Sequence, residues 1–158
     1  NYLGNYYLIF LFPDVWSYEL FESTVPDSLI NKDQELYTST DYEGYHGRKS
    51  YADNTVGGYY AARLGILEYF RKIKLQGSAL LLRFVTSEYS APLGVFVVRQ
   101  AVRRTMSLES LDFEDKKNML NHGRNLILGK FRYDINNLLK KSKLLEMIVN
   151  QSKLSRFF

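Results

Sequence analysis

The fold of this chain is decided by residues 57–85, GGYYAARLGILEYFRKIKLQGSALLLRFV. Apolar side chains in the first part recur with the period of an α-helix, at about 100° per residue, and fall on one face. Residues 78–85 form a continuous apolar run of strand length that only Arg83 interrupts. Asn54 or Thr55 is expected to cap the helix and Gly77 to stop it. The stretch predicts an amphipathic helix, then a strand that is buried on both faces.

The rest of the core is predicted on both sides of this unit. Two further strands are expected before it, at 6–12 and 35–42, with irregular chain at 13–34. After it we expect a helix from Pro92 to about Met106 and another within 113–128. The β-branched run at 95–98 would also suit a strand. A last helix is expected over 134–149, with five inward side chains and an end at Asn150. The five are Ile135, Leu138, Leu139, Leu145 and Val149.

These elements predict an α/β fold, with a mixed α+β arrangement as the alternative. A small central sheet of three to four strands would be flanked by helices. With 158 residues, of which 46% are hydrophobic, the chain is of one-domain size. We expect one globular domain over residues 1–149 and a flexible tail over 150–158.

Composition narrows the classes of protein to which this chain can belong. The absence of cysteine excludes disulfides and thiolate metal sites. His46 and His122 are the only histidines, so neither a metal centre nor a cofactor is expected. No apolar run approaches the ~20 residues that span a bilayer, so no membrane contact and a cytoplasmic location are expected. Because the chain begins with Asn1 and enters a strand almost at once, we interpret it as part of a longer protein.

Charge is unevenly divided along the chain. Residues 1–98 carry 8 Lys and Arg against 11 Asp and Glu, while residues 99–158 carry 13 against 6. A basic second half suits a polyanionic partner. Lysine-rich helix faces exposed to solvent give the same count.

The last eight residues, QSKLSRFF at 151–158, form a possible recognition motif. A turn of 3₁₀ helix repeats every three residues, so Leu154 and Phe157 would lie on one side with Phe158 beside them. These three side chains would make an apolar plug for a groove on a partner. Gln151 would add a polar anchor through its amide. The alternative is a chain end whose aromatic side chains pack on their own core.

The densest polar cluster lies at residues 41–63, DYEGYHGRKSYADNTVGGYYAAR. Asp41 and Glu43 are two residues apart, so on a strand they point to the same face. Arg63 lies on the apolar side of its helix and needs a carboxylate partner, for which either residue is a candidate. One interpretation is a structural ion pair. The other is a pocket in which Asp41, Glu43, Arg48 and Arg63 act on a substrate, with His46 as a titratable neighbour.

Two more segments are candidate anion sites. Gly57 and Gly58 stand at a predicted helix N-terminus, where free N–H groups favour a phosphate, although close packing explains them equally well. On the helix after Pro92, aromatic and cationic side chains are spaced to share one face, which suits contacts to phosphates and bases. Those residues are Phe96, Arg99, Arg103 and, further round, Arg104. A solvated face is the alternative.

Several stretches of the chain, taken in order, resemble the archaeal Nre family of DNA repair proteins. They are YLGN at 2–5, DYEGYHGRKSYA at 41–52, GGYYAARLGILEY at 57–69, EYSAPLGVFVVRQAVR at 88–103, KSKLL at 141–145 and the tail. Family members carry a C-terminal motif that docks on the DNA sliding clamp, PCNA. The resemblance implies that Gln151, Leu154, Phe157 and Phe158 form this PIP motif.

Family proteins are about twice as long and have an N-terminal Cys-type zinc motif. The resemblance therefore implies that this chain is a C-terminal portion whose zinc-motif portion is absent, and residues 108–133 match poorly. We expect a chromosome-associated DNA repair factor, recruited to the clamp, whose core contacts DNA or repair partners. The alternatives are a nucleic-acid-processing enzyme, with Asp41, Glu43, Arg48, Arg63 and Arg83 at its site, and a non-catalytic scaffold.

Overall fold

A computed structural model describes residues 1–25, 36–90 and 93–151. The chain divides into two compact units, Asn1–Glu109 and Ser110–Phe158. The first unit holds β1 (Asn5–Phe12), β2 (Ser17–Thr24), β3 (Tyr37–Glu43), α1 (Val56–Ile73), β4 (Ser78–Val85) and α2 (Val95–Met106). The second holds α3 (Lys116–Phe131), α4 (Asn136–Lys141) and α5 (Lys143–Gln151). A single domain over residues 1–149 stays a prediction.

The described strands of the first unit form a four-stranded mixed sheet in the order β1-β4-β2-β3. β4 pairs antiparallel with β1 and parallel with β2, and β2 pairs antiparallel with β3. All eight residues of β4 are buried, as expected for a central strand with both faces covered. The predicted fold class, a small sheet of three to four strands accompanied by helices, is confirmed.

α1 and α2 pack on one face of the sheet. Tyr18 and Leu20 of β2 meet Ile66 of α1 and Val102 of α2 in one buried cluster. The two helices approach closely at Gly65, where an added Cβ would lie 2.8 Å from Cγ1 of Val102. Burial of this apolar surface supplies the main stabilisation of the unit. Among the described residues, no helix is long and apolar enough to cross a membrane.

β2 lies in a segment for which the sequence predicted irregular chain, and that prediction was wrong. The strand holds buried Glu19 and Ser23 beside Tyr18 and Leu20, so it shows no plain apolar run. Its position between β4 and β3 gives it backbone hydrogen bonds on both edges. Tertiary pairing therefore overrides the weak local pattern.

The end of α1 also differs from the prediction. The helix stops at Ile73 because Lys74 takes the left-handed conformation, with φ of 56°. The N–H of Leu75 then donates to the carbonyl of Phe70 at 3.2 Å, which satisfies one free carbonyl of the last turn. Gly77, the predicted stop, lies four residues beyond Ile73.

The predicted last helix is two helices, because Ser142 interrupts it in an extended conformation. The Ser142 hydroxyl accepts a hydrogen bond from the N–H of Leu145 at 3.1 Å and so caps α5. The break shifts the helical phase. Ile135 and Leu138 are buried as expected, but Leu144 and Ile148 are buried in place of Leu145 and Val149, and Val149 is 59% exposed. The chain is helical to Gln151, one residue past the predicted end.

Asp134 joins the middle of α3 to the start of α4, and acid should weaken this link. Hydrogen bonds from Arg124 and from the Asn136 N–H lower the pKa of Asp134 to about 2. A carboxyl whose pKa is lower in the folded state contributes stability above its unfolded pKa and loses it as pH falls through the folded pKa. We expect Asp134→Asn to flatten the fall of the thermal midpoint between about pH 4 and pH 2. Circular dichroism at a series of pH values measures it. An unchanged pH profile would contradict the prediction.

Candidate functional site

β3 runs directly into a tight turn that begins the candidate site. The N–H of Gly47 donates to the carbonyl of Gly44 at 2.9 Å, and Gly47 has φ of +71°, a conformation that glycine adopts without strain. Tyr45 and His46 stand at the tip of the turn and are exposed. Their rings meet edge to face with centroids 5.3 Å apart. The turn thus places two flat polar side chains in solvent.

Glu43, the last residue of β3, is buried and accepts three hydrogen bonds. Nε of Arg63 donates at 2.8 Å, Nε1 of Trp16 at 2.7 Å and the hydroxyl of Tyr59 at 3.0 Å. Burial and then the charge of Glu43 raise the pKa of Tyr59, so its hydroxyl keeps its proton and donates. The ion pair that the sequence predicted for Arg63 is confirmed, with Glu43 as its partner.

Asp41 is also buried and anchors the start of α1. One carboxylate oxygen accepts from the N–H of Asn54 at 3.1 Å, the N–H of Thr55 at 2.8 Å and the Thr55 hydroxyl at 2.9 Å. The other pairs with Nη1 of Arg48 at 3.1 Å. Thr55 occupies the N-cap position, but its hydroxyl donates to Asp41 and makes no capping hydrogen bond. Asp41 thus holds, from a neighbouring strand, the two residues that precede α1.

Arg48 shapes the loop after the turn. Its guanidinium donates to the carbonyls of Tyr42 at 3.0 Å, Ser50 at 3.2 Å and Tyr51 at 3.1 Å. Because these carbonyls lie on both sides of Lys49, Arg48 holds the backbone from which Lys49 and Tyr51 project. Arg48 therefore serves structure, and few of its N–H groups remain for a ligand.

Arg63 differs from Arg48 because only part of its guanidinium is used. Nε is held by Glu43, and the guanidinium carbon lies 5.4 Å from the centroid of the Trp16 ring. Among the described residues, neither terminal nitrogen of Arg63 has a hydrogen-bond acceptor, and the side chain is 31% exposed. The two Nη groups are consequently oriented and available to an anion.

An open cleft of about 430 Å³ lies between the turn, the loop and α1. Tyr51 forms part of its wall, is 64% exposed and lies against Tyr60 with ring centroids 4.7 Å apart. Lys49 is exposed at the same wall. The lining residues are Glu43, His46, Gly47, Arg48, Lys49, Ser50, Tyr51, Tyr60 and Arg63. Since the lining carries three Lys and Arg against one acidic residue, the cleft suits an anionic ligand with a flat group.

The site is less suited to general acid–base chemistry or to a metal. Every carboxylate oxygen of Asp41 and Glu43 is engaged within the protein, and Oδ1 of Asp41 pairs with Arg48 and accepts from Nδ2 of Asn54 at 3.4 Å. A catalytic carboxylate needs an oxygen within reach of its substrate. Within residues 1–25, 36–90 and 93–151, no three His, Asp or Glu side chains lie together as ligands for a metal ion.

Some members of this site were not identified from the sequence. Lys49 and Tyr51 lie within the cluster at 41–63, but their shared position on the cleft wall depends on the carbonyl contacts of Arg48. Trp16 was not singled out, because irregular chain was predicted for its segment. Alternation of Tyr18 and Leu20 with polar residues was the sign that could have revealed β2 and hence Trp16.

Gly57 and Gly58 have close packing contacts. An added Cβ on Gly57 would lie 2.8 Å from Cγ1 of Val95, and one on Gly58 would meet the carboxylate of Glu22. With Asp41 also at this helix end, two carboxylates neighbour the N–H groups that a phosphate would use. The phosphate role of the two glycines stays a prediction, and packing supplies the reason for their small size.

Arg83 lies away from the cleft, in the middle of the sheet. Its Nε and Nη2 donate to Oδ1 of Asn5 at 3.0 and 2.6 Å, and its Nη1 pairs with Glu22. The residue is 8% exposed. The structure therefore brings Glu43, Arg48 and Arg63 together but does not add Arg83 to them.

The aromatic and cationic side chains predicted to share one face of α2 partly make contacts within the protein. Arg103 donates from Nε and Nη2 to the two carboxylate oxygens of Glu68, at 2.7 and 2.5 Å. The guanidinium of Arg104 lies 5.0 Å from the ring centroid of Tyr2. Phe96 is 49% exposed, and Nε of Arg99 is buried without a hydrogen-bond partner in the described part of the chain. Nucleic-acid binding by these residues stays a prediction.

The tail motif lies outside the residues that the structure describes. Gln151 is the last residue of α5, while its side chain and the residues Leu154, Phe157 and Phe158 are not among those that the structure describes. Their role in clamp binding stays a prediction.

Comparison with known proteins identifies relatives over most of the chain. A family model described as archaeal Nre, C-terminal, matches residues 43–157. The protein named DNA repair protein NreA in Haloferax volcanii is 38% identical over 116 residues, which are 72% of this chain and 28% of that protein. DNA repair protein NreB of Archaeoglobus fulgidus is 34% identical over 131 residues, 80% of this chain and 33% of the relative.

A third relative, DNA repair protein NreA of Archaeoglobus fulgidus, is 35% identical over 114 residues, 72% of this chain and 29% of the relative. The chain thus matches about a third or less of the length of these relatives. No solved structure matches the chain. The range matched by the family model begins at Glu43 and includes all the residues that line the cleft.

Proposed function

The chain belongs to the archaeal Nre family, and on that premise we propose that it acts in DNA repair at the chromosome. In this proposal the basic cleft beside the Gly44–Gly47 turn contacts DNA, while the tail at 151–158 holds the DNA sliding clamp. The relatives that cover most of this chain are named DNA repair proteins. Because the chain matches about a third or less of their length, activity of the whole protein belongs to the proposal as well.

The observation that supports contact with DNA is the way in which Arg63 is held within the protein. Its Nε is locked on Glu43 and its guanidinium rests against Trp16, so it has little side-chain entropy left to lose on binding. Arg63 lines the cleft, and its two terminal nitrogens form a pre-oriented fork. Arginine forks match the two oxygens of a phosphate, which makes the DNA backbone a suitable ligand.

The cleft favours binding over catalysis. Asp41 and Glu43 orient the two arginines, and their oxygens are occupied within the protein. Lys49 then supplies positive charge to the cleft lining, and Arg63 supplies its terminal N–H groups. The enzyme alternative needs a free acid or base, and neither carboxylate offers an oxygen to a ligand.

Two further surfaces belong to the same proposal. The α2 face with Phe96, Arg99, Arg103 and Arg104 would make a second DNA contact, at which Arg103 exchanges Glu68 for a phosphate. The tail would supply the clamp contact, since Gln-x-x-Leu-x-x-Phe-Phe is the pattern of a one-turn apolar plug with a polar anchor.

Lys49→Ala tests the contact between the cleft and DNA. Lys49 is exposed and makes no ion pair within the described residues, so the fold should not change. We expect weaker binding to a forked DNA that has both duplex and single-stranded arms. The slope of log K against log salt should also flatten by about 0.7–0.9, the value for one phosphate contact. Fluorescence anisotropy at several salt concentrations measures both.

The matched control is Lys72→Ala, which removes an exposed lysine in the last turn of α1. It should leave the affinity and the salt slope close to those of the unchanged protein. If both variants bound the forked DNA with the same affinity and slope, the cleft would not be the DNA contact.

A further inference from the structure

We propose that the cleft takes an unpaired nucleotide, with its base stacked on Tyr51 and its phosphate held by Arg63 and Lys49. This rests on the proposed DNA contact and deepens it, because it names single-stranded DNA as the preferred ligand over duplex DNA. The juxtaposition that carries it is an exposed aromatic ring and two available cations along one open cleft.

The aromatic part of the site is built before any ligand binds. Tyr51 lies on Tyr60 with centroids 4.7 Å apart and planes tilted by 36°. The Tyr60 hydroxyl accepts from the N–H of Ala52 at 3.0 Å, which fixes the ring of Tyr60. The carbonyl of Tyr51 accepts from Nη2 of Arg48 at 3.1 Å, which fixes the backbone of Tyr51. Tyr51 therefore offers a supported ring that is 64% exposed.

An unpaired base fits this ring better than a base pair does. In a duplex the faces of the bases are covered by their neighbours, so a protein side chain reaches them only after unstacking. Bases of a single strand present a free face, and stacking on an aromatic side chain is the common way to bind them. The cleft volume of about 430 Å³ lies at the small end of ligand sites, which suits one nucleotide.

Two cations of the same cleft would hold the sugar–phosphate part of such a nucleotide. Arg63 and Lys49 line the same cleft as Tyr51, and Arg63 is held in place by Glu43 and Trp16. An acidic peptide would also be attracted to the two cations, but its carboxylate side chains do not stack on an exposed aromatic ring. The combination of ring and cations therefore favours a nucleotide over an acidic segment of protein.

Tyr51→Ala in the full chain is the direct test, with fluorescently labelled oligothymidylate and a DNA duplex of the same length as probes. The unchanged protein should bind the single strand more tightly than the duplex. Tyr51→Ala should weaken binding to the single strand about tenfold, which is the loss of one base–aromatic stack, and should change duplex binding little. Tyr51→Phe keeps the ring and should retain the affinity. Tyr37→Ala, at the far end of β3 and 67% exposed, is the matched control.

The outcomes separate this inference from the function on which it rests. If Lys49→Ala weakened DNA binding while Tyr51→Ala had no effect, base stacking would be refuted and DNA contact at the cleft would stand. Equal binding of duplex and single strand, or competition by polyglutamate as strong as by unlabelled oligothymidylate, would likewise overturn the preference for an unpaired nucleotide. If no DNA bound at all, both proposals would fall.

Discussion

Glu43→Ala is expected to lower the free energy of unfolding by about 3–5 kcal/mol, the usual effect of removing one partner of a buried ion pair. The change leaves Trp16 Nε1 and the Tyr59 hydroxyl without their acceptor, and each unsatisfied buried donor costs about 1–3 kcal/mol. It also frees Arg63 from the orientation that presents its terminal nitrogens. Since small domains are stable by only about 5–15 kcal/mol, a substantial part of the protein should unfold at moderate urea.

Urea denaturation followed by tryptophan fluorescence measures this effect, because Trp16 is the only tryptophan and lies at the site. Glu68→Ala is the matched control. It removes a carboxylate that also pairs with an arginine, but both side chains are about 40% exposed, so water solvates the remaining partner. We expect a far smaller shift of the urea midpoint for Glu68→Ala. Equal shifts for the two variants would show that Glu43 is not a buried anchor.

Replacing Phe157 and Phe158 together by alanine is expected to abolish binding to the sliding clamp. Burial of one Leu and two Phe contributes about 5–9 kcal/mol, from which the ordering of the tail subtracts several. The balance predicts a Kd near the micromolar range for the unchanged chain. Loss of both aromatic side chains removes about 3–6 kcal/mol, which moves the Kd more than a hundredfold and out of the measurable range.

Titration calorimetry of the full chain against a purified clamp measures this interaction. Ser152→Ala with Ser155→Ala is the matched control, because both serines occupy variable positions of the Gln-x-x-Leu-x-x-Phe-Phe pattern. The serine variant should bind like the unchanged chain. Micromolar binding that survived loss of both phenylalanines, or no heat from the unchanged chain, would remove the tail as the clamp contact. Forked DNA should bind both tail variants normally, since the cleft lies in Asn1–Glu109.

Elements with a strong local pattern were predictable from the sequence. α1 follows from the helical period of its apolar residues and β4 from a continuous apolar run, and β4 has the predicted bounds. β2 was not predictable in this way, because buried Glu19 and Ser23 interrupt its pattern and its stability comes from β3 and β4. The break at Ser142 was missed because the spacing of 135, 138, 139, 145 and 149 imitates one continuous stripe.

The candidate site was likewise predictable only in part from the sequence. The sequence singled out residues 41–63, and it predicted that Arg63 needs Asp41 or Glu43. It could not choose between the two carboxylates, since residues 41 and 43 point to the same face of a strand. The choice depends on Trp16, which is 27 residues from Glu43 in sequence and reaches it only through the pairing of β2 with β3.

By itself, then, the sequence determined the helix and strand of residues 57–85 and the family, because the order of residues along the chain carries both. Only the tertiary structure decided that the oxygens of Asp41 and Glu43 are bonded within the protein. It also decided that Arg63 has two nitrogens without an acceptor among the described residues, in the cleft that Lys49 and Tyr51 line. The physical reason is that hydrogen bonds and ion pairs act over about 3–4 Å. Which donors and acceptors come that close is set by the packing of distant segments.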